Sequence, residues 1–123
     1  MLDINFVLLY VDNPAASAAF YQKLLGKPPV EQSPTFAMFA MASGVMLGLW
    51  SRHSVEPTAA AGGGGGEIAF TVRDADAVDA THADWTARGL RILQAPTDLD
   101  FGRTCVAVDL DGHRIRAFFP TGP

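Results

Sequence analysis

The first strand of the chain has no polar face. In Phe6-Val7-Leu8-Leu9-Tyr10-Val11, Val7, Leu9 and Val11 fall on one side and Phe6, Leu8 and Tyr10 on the other, because successive side chains of a strand point in opposite directions. A sheet covered by a helix on one side and water on the other would carry polar residues on its wet face. Phe6, Leu8 and Tyr10 are therefore expected to face something dry. Asn13-Pro14 then reads as a helix start, with a capping side chain followed by a proline whose ring suits the first helical position. Gly26 reads as the stop. Ala16, Phe20 and Leu24 recur at four-residue spacing and predict the stripe that packs on Val7, Leu9 and Val11. Residues 35–41 predict a strand, residues 42–44 a tight turn, and residues 45–50 its antiparallel partner.

The same order is then written a second time. Residues 67–74 repeat the apolar strand. Asp74 or Asp76 caps a second helix, Val78, His82 and Trp85 form its stripe, and Gly89 ends it. Residues 103–108, the turn Asp109-Leu110-Asp111-Gly112 and residues 114–119 predict a closing hairpin. Each copy is a strand and a helix followed by two or three more strands, which predicts an α+β fold. Two copies of one half-sheet imply a concave, two-sided cavity. The copies are assigned to residues 1–52 and 67–123. Residues 53–66 join them, ending in Ala59-Ala60-Ala61 and five glycines from Gly62 to Gly66. This composition predicts a weakly ordered linker. A phosphate-cradling role is excluded, because a strand rather than a helix N-terminus follows the glycines.

Composition narrows the function classes. A chain of 123 residues can bury enough surface to fold as one domain without staples. A single cysteine, Cys105, leaves no intrachain disulfide, which points to a reducing compartment. With neither a signal-peptide pattern nor an apolar run long enough to span a bilayer, the expectation is a cytoplasmic protein without membrane contact. The net charge of −4 opposes the basic footprint that nucleic-acid binding needs.

The helix segment Ser17-x-x-Phe20-Tyr21-x-x-Leu24-Leu25-Gly26, the strand ending in Val11-Asp12 and the late Asp109-Leu110-Asp111-Gly112 hairpin together resemble the vicinal oxygen chelate superfamily. This family contains glyoxalase I, extradiol dioxygenases, and bleomycin-resistance and related drug-binding proteins. The resemblance covers the whole chain apart from the glycine linker. It implies paired βαβββ modules whose mixed sheets curl into a cup, usually in a homodimer. In the family's enzymes four strand residues hold a divalent metal. Carried over by motif, those positions fall at Phe6, at Leu47 or Leu49, at Glu67 and at Arg116. Only Glu67 among them has a ligating side chain, and a hard cation needs several oxygen or nitrogen donors. Arg116 would set a permanent positive charge where the ion should sit. The expectation is no metal and no other cofactor. Residues 98–104 and 109–116, with Leu8-Leu9-Tyr10-Val11 and Leu49-Trp50-Ser51, are similar to the drug-binding branch that resists phenazine antibiotics. That similarity implies metal-free sequestration of an aromatic small molecule.

The candidate ligand-binding residues follow from these two readings. Trp50 ends its strand where the family places a ring beside the ligand. Phe6, Leu8, Tyr10, Phe39, Leu49 and Phe118 supply an apolar wall, with the facing of Phe39 left open by the alternation. Arg103, just after Phe101 and Gly102, offers a guanidinium that can fork onto a carboxylate or stack on a ring. Its alternative is a surface ion pair with Asp98 or Asp100. Glu67 and Arg116 are expected to pair with each other. No residue is assigned a catalytic role, since Cys105 lacks a neighbouring base and His53, His82 and His113 do not group into a site. The alternative is a divergent metal-dependent lyase or dioxygenase in which Glu67 works with His113 or His53.

Overall fold

The computed structural model describes residues 1–121, which form two compact units, Met1–Gly62 and the residues from Gly63 onward. The first unit contains β1 (Phe6–Val11), α1 (Pro14–Leu25), β2 (Glu31–Gln32), β3 (Phe36–Ala40) and β4 (Met46–Ser51). The second contains β5 (Glu67–Thr71), α2 (Ala75–Ala87), β6 (Arg91–Leu99), β7 (Gly102–Val108) and β8 (Arg114–Pro120). Each unit is a βαβββ module with a four-stranded mixed sheet, in the orders β1-β4-β3-β2 and β5-β8-β7-β6. The outer pairs β1–β4 and β5–β8 are parallel and the remaining pairs antiparallel. The α+β class and the repeated module expected from the sequence are both present.

Local signals account for the helix boundaries. The Asn13 side chain accepts a hydrogen bond from the Ala16 N–H at 3.2 Å, Pro14 occupies the first turn, and Gly26 closes α1 at a φ of 71°. Asp74, rather than Asp76, caps α2 by accepting from the Ala77 N–H at 2.7 Å. An N-cap oxygen satisfies one of the donors that a helix start leaves unpaired.

The buried stripe of α1 differs from the expected one. Pro14, Ser17, Ala18 and Tyr21 are buried, whereas Ala16 is exposed and Phe20 and Leu24 are half-buried. The buried stripe, with Ser17 and Tyr21, is less apolar than the expected one, so tertiary packing of the large Tyr21 ring rather than hydrophobic periodicity selects it. Phe20 instead meets the Tyr21 ring edge-on, with centroids 5.2 Å apart. On α2, Val78 and Trp85 are buried and His82 half-buried, as expected.

Between α1 and its sheet lie Val11, Ala18, Tyr21, Ala37, Phe39, Leu47 and Leu49; between α2 and its sheet lie Val78, Trp85, Cys105, Ala107, Ile115 and Ala117. The edge strand β6, which the sequence reading does not delimit, pairs with β7 through register shifts on either side of Gln94. Pro96 lies in this stretch, and a proline cannot donate to the ladder.

The Asp109-Leu110-Asp111-Gly112 turn is organised by its first residue. One Asp109 carboxylate oxygen accepts from the Asp111 and His113 N–H groups, both at 2.9 Å. Gly63 lies against this turn so closely that a Cβ there would sit 2.7 Å from the Asp111 oxygen and the His113 nitrogen. At least this glycine of the connector is engaged with the second unit rather than being a bare tether.

Candidate functional site

In the first unit, register decides which side chains share the face away from α1. Leu8 pairs with Gly48, and Gly48 with Met38, which in turn pairs with Glu31. One row therefore crosses the sheet from Leu8 through Gly48 and Met38 to Glu31. The next row contains Tyr10, Trp50 and Phe36. Gly48 is the hollow in this surface. A Cβ there would lie 2.7 Å from Leu8 Cδ2, 2.9 Å from Phe36 Cζ and 3.0 Å from Phe6 Cε1. These distances are well inside the ~3.5–4.0 Å at which carbon atoms normally touch, so only glycine lets the three side chains converge on the β4 backbone. Around this point opens a cavity of about 440 Å³ lined by Phe6, Leu8, Glu31, Phe36 and Trp50. Phe36 and Trp50 stand edge to face, with centroids 6.3 Å apart and an interplanar angle of 89°. Four apolar residues and one carboxylate thus line this concavity.

The second unit carries a polar cluster on the corresponding face. Arg116 Nε donates to Glu67 Oε1 at 2.6 Å and Nη2 to Oε2 at 3.3 Å, the forked geometry that suits guanidinium and carboxylate. Its third contact is from Nη1 to Thr104 Oγ1 at 3.0 Å, and the Thr104 hydroxyl donates onward to the Ala117 carbonyl at 3.0 Å. The Arg116 guanidinium also lies 5.8 Å from the centre of the Phe101 ring, which meets Phe118 edge-on at 5.9 Å. Three residues thus hold Arg116 on all sides of its fork. The expected pairing of Glu67 with Arg116 is present.

Other candidates lie elsewhere. Phe39 and Leu49 are both fully buried on the helix side of the first sheet, one residue out of phase with Phe36 and with Gly48. They belong to the core, and the same alternation puts Leu47 there too. The β4 positions that share a face with Phe6 are Met46, Gly48 and Trp50, not Leu47 or Leu49. Tyr10 lies in register with Trp50 but does not line the cavity. Arg103 donates to Asp79 of α2 at 2.9 Å and to Asp98 at 3.1 Å, and these hydrogen bonds, that of Asp79 above all, raise its pKa further. The surface ion-pair alternative thus describes where its guanidinium lies, with Asp79 as an additional partner. Phe36 and Glu31 were missed. Phe36 carried a signal, since it and Phe39 lie at opposite parity on one strand and only one can face the cavity. Glu31, on a two-residue edge strand, carried none.

The donor set does not fit a divalent metal. Phe6 and Gly48 have no ligating side chain, and both Glu67 oxygens already accept from Arg116. His53 is bonded to Asp12 at 2.7 Å on the exposed surface, and among the described residues no three His, Cys, Asp or Glu side chains gather as a metal set. Cys105 is buried beneath α2, where desolvation pushes its thiol pKa up, the reverse of what a nucleophile needs.

Comparison with known proteins agrees with this architecture. A family model described as the Glyoxalase/Bleomycin resistance protein/Dioxygenase superfamily matches residues 3–117. A phenazine antibiotic resistance protein of Enterobacter agglomerans is 30% identical over 115 residues, covering 91% of this chain and 88% of that protein. A protein of Agrobacterium tumefaciens solved by solution NMR is 52% identical, with a TM-score of 0.92 over 99% of this chain and all of that one. A glyoxalase-related enzyme from Fulvimarina pelagi, 23% identical, shares the fold with a TM-score of 0.84 over 97% of this chain and 88% of its own.

Proposed function

The chain belongs to the Glyoxalase/Bleomycin resistance protein/Dioxygenase superfamily, and from that premise we propose that it is a resistance-type binding protein that sequesters a flat aromatic small molecule without metal. The observation that carries this reading is the cavity over Gly48, where Trp50, Phe36, Phe6 and Leu8 present an apolar wall. Its volume of about 440 Å³ lies within the ~300–1,000 Å³ typical of small-molecule sites, which are lined mainly by such residues. No bond needs to be made or broken. Tight binding alone lowers the free concentration of a toxin, and a phenazine-like tricycle suits rings that can stack or meet edge-on.

The similarity to a phenazine antibiotic resistance protein supports this choice of ligand class. The enzyme alternative, with Glu67 as a metal ligand, is less favoured because Arg116 occupies both of its oxygens. We further propose a cytoplasmic homodimer. The exposed apolar side chains Leu2, Ile4 and Tyr10 support the dimer, and no helix among the described residues is long and apolar enough to cross a membrane.

Calorimetric titration with phenazine tests the reading. Removing one aromatic partner costs ~0.5–1.5 kcal/mol beyond the lost area, so Trp50→Ala is expected to weaken binding about tenfold. Unchanged affinity in Trp50→Ala, or one equivalent of tightly held transition metal in the purified protein, would overturn it. Sedimentation checks the dimer.

A further inference from the structure

We propose that the ligand of the Gly48 cavity is a flat aromatic cation, selected by Glu31; this rests on the reading of that cavity as an aromatic binding site. Glu31 is the one charged residue in the cavity lining. Its position is set by the backbone, since it pairs with Met38 and the neighbouring Val30 N–H donates to the Met38 carbonyl at 2.7 Å. Among the described residues it forms no ion pair and no side-chain hydrogen bond. The cation nearby in sequence, Lys27, donates instead to the Ala40 carbonyl at 2.7 Å.

The row Leu8, Gly48, Met38, Glu31 sets the distance. Glu31 stands two strands from Gly48, or roughly 10 Å at the usual spacing between strands. A tricyclic ring system lying over the glycine hollow therefore brings one edge to the carboxylate. A ring nitrogen that is protonated, or an amino group on that edge, meets a negative charge there, and the π faces of Trp50 and Phe36 favour a cation as well. A ligand with a carboxylate on that edge meets like charge, on a chain whose net charge is already −4.

A set of probes with one ring system isolates the charge. 9-Aminoacridine, acridine and acridine carboxylate are, respectively, cationic, neutral and anionic at mildly alkaline pH. For a unit charge about 4 Å from Glu31 in a watery setting, attraction is worth roughly fivefold in affinity and repulsion the same. Calorimetry on the full chain at low salt is expected to rank them cation, neutral, anion, with roughly 25-fold between the ends. Glu31→Gln is expected to collapse most of that spread. An unranked series, or a ranking that survives Glu31→Gln, overturns the role of Glu31 while leaving the aromatic site standing. Failure of all three probes to bind overturns both readings. Because Glu31 is an exposed residue on an edge strand, an unaltered melting temperature will show that the variant is folded.

Discussion

Gly48→Ala tests the hollow directly. The added methyl would sit 2.7 Å from Leu8 Cδ2, 2.9 Å from Phe36 Cζ and 3.0 Å from Phe6 Cε1, so each must retreat by ~0.5–1 Å to reach ordinary contact. All three atoms are side-chain ends, and they can move outward into the cavity without shifting backbone. Overpacking of this kind costs ~1–3 kcal/mol. Replacing glycine within a strand returns ~0.5–1 kcal/mol of unfolded-state entropy. The net loss is therefore at most about 2.5 kcal/mol, a fall of up to roughly 10 °C in Tm for a chain of this size. Binding suffers more than stability, since the retreating rings occupy the space in which a ligand would lie. Losing ~60 Å² of apolar contact is worth ~1.5 kcal/mol, or about tenfold in affinity. Scanning calorimetry gives the first quantity and titration with phenazine the second. A variant with wild-type affinity and a Tm equal to or above that of the parent would refute the convergence of Leu8, Phe36 and Phe6 on the β4 backbone.

Three further outcomes are expected. Gly102→Ala should be severely destabilising, by more than ~3 kcal/mol in denaturant titration, because Gly102 stands at a φ of 145° and its Cβ would run into the Phe119 carbonyl oxygen and the Pro120 backbone of β8, which cannot swing aside. Glu67→Gln should cost only ~1–2 kcal/mol, since the Glu67 side chain is 32% exposed and Thr104 and Phe101 still hold Arg116; a double-mutant cycle with Arg116→Gln measures the coupling, and a value near zero would show the fork to be idle. The raised pKa of Cys105 favours the neutral thiol in the folded state, so its contribution is complete below the unfolded-state pKa and is lost as pH rises through the folded-state pKa. Stability should thus decline in alkaline solution less steeply in Cys105→Ala than in the parent, and the native thiol should resist disulfide reagents until the protein is unfolded.

What the sequence determined by itself is the local grammar. Asn13-Pro14 and the Asp74/Asp76 pair start helices, Gly26 and Gly89 end them, and the hairpin around Asp109 to Gly112 follows from turn chemistry within a few residues. The repeat of that grammar identified two copies of a strand and a helix followed by two or three more strands, and the apolar parity of Phe6, Leu8 and Tyr10 predicted a dry face, whereas all three side chains are exposed in the structure. The tertiary structure alone decided which strand neighbours share that face. A strand pattern has a period of two, and an apolar strand reads equally well in either phase until its partner fixes the register. Pairing with Trp50 put Phe36 rather than Phe39 beside the cavity, and pairing with Leu8 made Gly48 rather than Leu49 its floor. Arg103 was drawn to Asp79, 24 residues away on α2, and Glu31 reached the cavity only because β2 pairs with β3. Contacts of that kind depend on chain segments brought together from a distance, and no local pattern encodes them.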